Sequence, residues 1–241
     1  MTDMFCYQCQ ETMKNSGCIR RGMCGKSAEV SRLQDLLIYL LKGISFWGTR
    51  GRNMDVRDDE TDLFVAKALF STITNANFDT ARFVELIKEA IVRRDNLRAR
   101  AQTRCNELHS SNCNGSGPDW AGWHPEDYEV ETLLAKGRTV GVMDDPELNE
   151  DIRSMRELVI YGLKGIAAYV DHAYLVGGRD ESILAFLQEA LEATTNDKLG
   201  QAEMLALIQK TGECGVKAMA LLDASNTGRY GNPEPTQVFL G

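Results

Sequence analysis

Long apolar runs, an export signal and an excess of basic charge are all lacking in this sequence of 241 residues. No run approaches the roughly 18 apolar residues of a membrane-spanning helix, so we expect no membrane span. The first six residues are neither basic nor apolar enough for a signal peptide, which predicts a cytoplasmic protein. The net charge of -8 argues against a nucleic-acid-binding protein, which needs a basic face. Only five prolines accompany long apolar-periodic stretches, which argues against a β-sandwich or β-barrel.

Cysteine, in contrast, is concentrated at one end of the chain. Four of the seven cysteines (Cys6, Cys9, Cys18 and Cys24) have the spacing C-x2-C-x8-C-x5-C. Because cytosolic thiols stay reduced, disulfides are the less expected use of them. Structural zinc prefers two tight cysteine pairs, whereas the wide second gap suits an iron–sulfur cluster. The spacing therefore favours an iron–sulfur cluster and leaves zinc, or no metal, as alternatives.

The charge near these cysteines differs from that of the rest of the chain. Residues 1–26 carry four cations and two anions, a balance of +2, so the remainder carries -10; the charged residues are Lys14, Arg20, Arg21, Lys26, Asp3 and Glu11. Cations ease the reduction of an anionic cluster and attract an acidic electron donor. The alternative is that these are solvated loop charges.

Apolar residues at helical spacing predict six long helices. The first begins after a cap at Ser27, with Glu29 in its first turn and with Gly48 and Gly51 beyond its end. The second and third are predicted at 59–74 and from 79 past 100. A connecting segment with a short helix near 129–135 follows, and then come helices at 149–176, 180–193 and 201–224.

The second set of three helices repeats the first. Residues 36–44 match residues 158–166 at an offset of 122, and Phe70 with Thr74 and Asn75 parallels Leu191 with Thr195 and Asn196 at an offset of 121. We therefore predict an all-α protein with two consecutive three-helix bundles. The predicted parts are a cluster-binding cysteine loop (1–26), a first bundle (27–104), a connecting segment (105–147), a second bundle (148–226) and a lead-in to a missing α/β domain (227–241). Since only the first bundle follows a cysteine loop, the second is expected to have a supporting role.

The cysteine loop also resembles a known family. Residues 4–12, with Gly17-Cys18 and residues 22–26, resemble the N-terminus of the hybrid cluster proteins, also called prismane proteins or hydroxylamine reductases. Further matching stretches lie at 33–38, 72–77 and 230–238. The resemblance implies that Cys6, Cys9, Cys18 and Cys24 bind a [4Fe–4S] cluster. It also implies that the complete proteins reduce hydroxylamine to ammonia and water and are linked to nitric oxide and nitrosative stress.

This sequence departs from the family in its length. The resemblance places a second, iron–sulfur–oxygen hybrid cluster in later α/β domains, and residues 236–241 look like the first strand of such a domain. We therefore expect an N-terminal electron-relay part that holds no catalytic residue, is inactive alone, and needs a redox donor protein and the catalytic domains as partners. The alternatives are a stand-alone electron-transfer subunit and a zinc-stabilised helical scaffold.

Several other residues could carry chemistry. Cys105, His109 and Cys113 are spaced like part of a metal site, or they belong to an incidental solvent-facing loop. Cys214 is expected to be buried as a small apolar residue, and His172 to lie on a helix surface or in the core. Gly177-Gly178 predicts a helix stop, and Tyr7 either shields the metal centre or is exposed. No Ser/His/Asp or Cys/His arrangement is evident, so hydrolase chemistry is not expected.

Overall fold

The computed structural model describes residues 3–109, 113, 115 and 117–236. Within these residues it contains helices and no strand, apart from one isolated antiparallel bridge in the cysteine loop, so the all-α class is confirmed. The α-helices are α1 (Ala28–Arg52), α2 (Asp59–Ser71), α3 (Thr80–His109), α4 (Val130–Gly137), α5 (Glu150–Leu175), α6 (Glu181–Ala193) and α7 (Gln201–Tyr230). The strand predicted at 236–241 lies, beyond its first residue, outside the described residues.

Equivalent capping residues start the equivalent helices of the two halves. The Ser27 side chain accepts a hydrogen bond from the Val30 amide (3.1 Å), which confirms the predicted cap of α1. Its counterpart 122 residues later, Asn149, caps α5. Asp58 and Asp180, which are also 122 residues apart, cap α2 and α6. Capping residues at equivalent positions thus start the equivalent helices in both halves.

Helix packing interleaves the two halves. Within each half, the third helix packs along the first, α3 on α1 and α7 on α5. The second helix of each half, however, packs mainly on the first helix of the other half, α2 on α5 and α6 on α1, and one continuous apolar core runs through both halves. This arrangement differs from two self-contained bundles, because the apolar faces of α2 and α6 are covered across the repeat.

The first helix is longer than the sequence predicted. Gly48 and Gly51 lie inside α1, so placing them beyond its end was wrong. Both are buried, and a side chain at Gly48 would overlap the side-chain oxygen of Gln188 on α6. These glycines therefore allow close packing of α1, where a helix stop was predicted.

Other boundaries shift because the tertiary structure extends or trims a helix. α2 ends at Ser71 instead of residue 74, whereas α3 and α7 continue to His109 and Tyr230, so residues 105–109 of the predicted connecting segment are helical. The hydroxyls of Thr72 and Thr194 donate to the carbonyls of Leu69 and Leu191, each at 2.7 Å. The repeat thus keeps its offset of 122 through α2 and α6, so the pairing of Phe70 with Leu191 at 121 was wrong, whereas α3 and α7 begin and end 121 residues apart.

The connecting segment is attached to both α1 and α3. Trp47 Nε1 on α1 donates to the Ala121 carbonyl (2.9 Å), and Arg94 on α3 donates to the Trp123 carbonyl (2.7 Å). At its start, Cys105 and Cys113 form a disulfide, so the expectation of reduced thiols was wrong for this pair. Among the described helices, none combines the length and the apolar character that crossing a bilayer requires.

Candidate metal centre

A short two-stranded contact brings two of the four loop cysteines together. The amide of Cys6 donates to the carbonyl of Cys18 (3.0 Å), and the amide of Cys18 donates to that of Cys6 (2.9 Å). Beyond this contact, the amides of Asp3 and Met4 donate to the Ile19 carbonyl (3.1 and 3.2 Å). The two ends of the segment from Cys6 to Cys18 are therefore fixed by backbone hydrogen bonds.

Thr12 holds the middle of the loop against both of these cysteines. Its amide donates to the Cys9 carbonyl (3.1 Å) and its hydroxyl to the Cys6 carbonyl (3.1 Å). The same hydroxyl lies 3.8 Å from Cys18 Sγ. Thr12 is buried, so these bonds fix the path of the chain between Cys9 and Cys18.

Glycine is required where the loop turns tightly. Gly17 has a φ of 124°, and a side chain there would strike the ring of Phe5. Gly25, with a φ of 94°, completes the turn after Cys24. These backbone conformations favour glycine, because other residues rarely adopt positive φ.

A buried lysine contacts one of the loop thiols. Lys26 is 1% exposed, and its Nζ lies 3.8 Å from Cys6 Sγ and donates to Gln34 Oε1 at 2.6 Å. The other three cations of residues 1–26 (Lys14, Arg20 and Arg21) are exposed. The solvated-charge interpretation therefore fits those three cations, whereas Lys26 places one ammonium group against a thiol.

The loop thiols are free, and their environment favours thiolate at one of them. Cys18 is buried; although burial raises the pKa of its thiol, hydrogen bonds from the backbone of Met13 and Met23, the Thr12 hydroxyl and the charge of Lys26 together lower that pKa below its usual value. Thiolate is the form that binds metal. The donor set thus fits a thiolate-bound metal centre.

Two kinds of metal centre are held by four cysteine thiolates. Among the described residues, no three His, Cys, Asp or Glu side chains lie close enough together to surround a single metal ion. Structural zinc needs four ligands around one ion, whereas a cubane cluster takes one thiolate on each iron. The four loop thiols can supply the ligands of either kind of centre.

The other predicted candidates lie away from this loop. Cys105 and Cys113 are paired in the disulfide, so neither thiol is available with His109 as a metal ligand. Cys214 on α7 is half-buried against the core, and burial raises the pKa of its thiol to about 11. His172 is on the surface of α5 with its ring edge on Phe70, and α5 ends before Gly177, as predicted. Tyr7 is 45% exposed.

Sequence reasoning missed the polar groups that join the loop to the helices. Gln34, 2% exposed on α1, receives the Lys26 hydrogen bond. With its amide oriented to satisfy both neighbours, Gln8 donates to the Thr72 carbonyl (3.2 Å) and accepts from Lys164 Nζ (2.9 Å). The available signal was a lysine within the apolar pattern of each repeat, at positions 42 and 164.

The fold and the site together define a helical protein with a loop of four free thiols suited to an iron–sulfur cluster. The family model described as Prismane/CO dehydrogenase family matches residues 4–241. The chain belongs to this family, whose prismane members are iron–sulfur proteins.

Curated relatives carry the name hydroxylamine reductase. Those of Halothermothrix orenii, Parabacteroides distasonis and Petrotoga mobilis are 50%, 49% and 47% identical to this chain, each over 99% of its length. The matched region makes up 42%, 42% and 44% of these relatives. The chain therefore spans less than half the length of the curated relatives that it matches.

Proposed function

We propose that this chain is the electron-relay part of a hydroxylamine reductase, with a [4Fe–4S] cluster held by Cys6, Cys9, Cys18 and Cys24. The observation that carries the proposal is the loop itself. Its four thiols are free, a backbone contact fixes Cys6 opposite Cys18, and a buried ammonium group lies against Cys6. The similarity to hydroxylamine reductases over 99% of the chain supports the same assignment.

The residues around the cysteines have defined roles in this proposal. A bound cluster supplies one-electron transfer. Lys26 offsets the negative charge of the thiolates, and the Thr12 hydroxyl interacts with Cys18 Sγ. The buried Met4 excludes water on one side of the loop. Lys26 and the Thr12 hydroxyl favour a more reducible centre, because a cation and a hydrogen-bond donor stabilise added negative charge, whereas the exclusion of water by Met4 opposes reduction.

The proposed centre transfers electrons and does not itself bind substrate. Four thiolates occupy the outer position of every iron in a cubane, so no iron is open to hydroxylamine. Reduction of hydroxylamine to ammonia and water, with two electrons and two protons, is therefore assigned to a hybrid cluster in the remaining domains of the complete protein. The proposed partners are those domains and a redox donor protein in the cytoplasm, and the proposed setting is defence against nitrosative stress.

Metal and sulfide analysis of anaerobically purified chain tests the proposal. We expect about four irons and four sulfides per chain with a broad absorption near roughly 400 nm, and no hydroxylamine reduction by the chain alone. One zinc and no sulfide would instead support the zinc-stabilised scaffold.

A pair of cysteine variants separates the loop from the other free thiol. Cys18→Ser removes the buried loop thiol and should abolish sulfide incorporation, because an alcohol is a poor iron ligand. Cys214→Ser, the matched control on α7, should retain the full iron and sulfide content. Equal loss in both variants, or cluster retained in Cys18→Ser, contradicts the assignment of the ligands.

A further inference from the structure

A polar cavity lies between α1 and α5 beside the cysteine loop. Its volume is about 180 Å³. Cys6, Tyr7 and Gln8 form its wall on the loop side, and residues of the connecting segment, among them Asp145, line another side. Neither the metal ligands nor the apolar core accounts for this polar space.

Equivalent positions of the two repeats line this cavity. Residues 31, 34, 35, 38, 39 and 42 of α1 face it, and so do the residues 122 positions later on α5, 153, 156, 157, 160, 161 and 164. Positions with this spacing form one face of a helix. The first helix of each repeat therefore turns the same face toward one space, and each contributes a carboxylate, a tyrosine and a lysine.

The two carboxylates of this cavity are Asp35 and Glu157. Burial raises the pKa of Asp35 to about 7, although Arg32 opposes the shift, and burial also raises the pKa of Glu157. Burial lowers the pKa of Lys42, and it lowers that of Lys164 to about 8. Asp35 and Lys164 thus exchange protons near neutral pH, and the pKa values of Glu157 and Lys42 are shifted in the same directions as those of their counterparts.

Hydrogen bonds connect this cavity to the cysteine loop at two points. Lys26 bridges Cys6 Sγ and Gln34, and Gln34 lines the cavity. Gln8, between two of the metal-binding cysteines, accepts a hydrogen bond from Lys164 on the far wall. Charge added at the loop acts across this buried space with less screening than it would in water.

One of the residues that line this space has a buried donor without a partner. Gln34 is 2% exposed, and its Nε2 donates to no group in the described part of the chain. Lys42 has no hydrogen bond or ion pair there either. The cavity has space for water, and the spare donors and the two carboxylates are polar partners for it. Such water carries protons between the carboxylates and solvent.

We propose that Asp35 and Glu157 form a proton-binding site that takes up one proton from solvent when the metal centre of the cysteine loop accepts one electron. The inference rests on the proposed function, because it needs a redox-active centre held by Cys6. A one-electron donor such as a reduced viologen supplies the electron. The proton from water forms an O–H bond on a carboxylate, and reoxidation releases both. Added negative charge nearby favours the protonated carboxyl, which is the physical origin of the coupling.

Other charged and titratable groups face these carboxylates from every surrounding element. The cations are Lys26 of the loop, Arg32 and Lys42 of α1, and Arg153, Arg156 and Lys164 of α5. The remaining groups are Cys6 and Tyr7 of the loop, Tyr39 of α1, Asp144 and Asp145 of the connecting segment, and Tyr161 of α5. Because the cations outnumber the anions other than Asp35 and Glu157, one or both of these carboxylates ionise while the centre is oxidised, and one can then accept a proton on reduction.

The pH dependence of the midpoint potential tests the proposal on the full chain with its cluster assembled. In the wild type the potential should fall as pH rises, by up to about 59 mV for each tenfold drop in proton concentration. The double variant Asp35→Asn/Glu157→Gln keeps the side-chain shapes and should flatten this dependence. The matched control Glu11→Gln, an exposed carboxylate two residues from Cys9, should shift the potential equally at each pH and leave the slope unchanged.

A second measurement does not depend on the variants. Reduction of the wild-type chain in weakly buffered solution with a pH indicator should take up a proton near pH 7, approaching one per electron. If the double variant does not fold, Asp35→Asn alone should lower this uptake. A loaded cluster whose potential is independent of pH and whose reduction takes up no proton overturns the inference alone, as does a slope that persists in the double variant. Absence of iron and sulfide overturns the proposed function and the inference together.

Discussion

The two halves of this chain share one helical plan but have different surroundings. Ser27 and Asn149 cap their first helices, Asp58 and Asp180 their second, and each third helix has 30 residues. Only the first half follows a cysteine loop, and the connecting segment is attached to two of its helices, α1 and α3. A repeated sequence thus repeats its local structure, while the role of each position depends on what packs against it.

Two glycines at equivalent positions show this difference. A side chain at Gly43 on α1 would overlap the Trp120 carbonyl of the connecting segment. At Gly165 on α5, 122 residues later, no atom beyond the neighbouring residues and the backbone of its own helix lies within 4 Å of an added Cβ in the described part of the chain. The same residue is therefore required by packing in one half and replaceable in the other.

The largest expected effect of a substitution at a single pH comes from these two glycines. Gly43→Ala should lower the free energy of unfolding by about 1–3 kcal/mol, because backbone must move to admit the methyl group. Gly165→Ala should raise it by up to about 1 kcal/mol, since alanine is the better helix former. Urea denaturation of both variants at matched iron content, followed by circular dichroism, measures the contrast. Equal effects in the two halves contradict the comparison.

Much of the fold could be predicted from the sequence, because caps and apolar periodicity are local signals. The six long helices, the Ser27 cap and the stop before Gly177 follow from these signals. The packing of α2 on α5 and of α6 on α1 could not be predicted, since an apolar helix face in the sequence does not specify which first helix covers it. Likewise, Gly48 has the appearance of a helix stop in sequence but serves packing against Gln188.

The candidate site also has one part that the sequence predicted and one part that it did not. The cysteine spacing predicted a thiolate metal centre directly, since the four cysteines lie close in sequence. The cavity of Asp35 and Glu157 combines residues more than a hundred positions apart, and neither helix alone indicates that its polar face is buried. The Cys105–Cys113 disulfide was missed for a different reason. Thiols were expected to stay reduced in the cytosol, so a pairing of two cysteines close in sequence was not predicted.

Burial of Asp35 should also make the stability of the chain depend on pH. Because burial raises the folded pKa of Asp35 to about 7, above its ordinary value of 3.8, the folded state holds a proton that the unfolded state releases. The free energy of unfolding should therefore fall as pH rises from about 4 to 7, on the order of 1 kcal/mol per pH unit. Lys164 acts in the opposite direction, because its folded pKa of about 8 lies below its ordinary value of 10.5. The unfolded state therefore holds the extra proton between these two pH values, and the free energy of unfolding should rise from about pH 8 to pH 10.5.

Variants in the two halves identify which carboxyl groups make the free energy of unfolding fall between about pH 4 and 7. Asp35→Asn should reduce it, and Glu157→Gln should reduce it further, because burial raises the folded pKa of both groups. The exposed Glu126→Gln serves as the control and should leave the profile unchanged. Denaturation midpoints measured at each pH check this, and an unaltered profile in both cavity variants contradicts the shared site.

The smallest expected effect compares the two equivalent helix caps. Ser27→Ala and Asn149→Ala each remove a side chain that accepts hydrogen bonds from free amides of the first turn, at 3.1 Å from Val30 and at 3.0 and 3.2 Å from Asp151 and Ile152. Each should cost about 1 kcal/mol of stability. Only Ser27→Ala should also speed the loss of iron to a chelator, because the Ser27 cap directly follows Lys26, whose ammonium group lies against Cys6. Equal rates of iron loss in the two variants would mean that the metal loop does not depend on the start of α1.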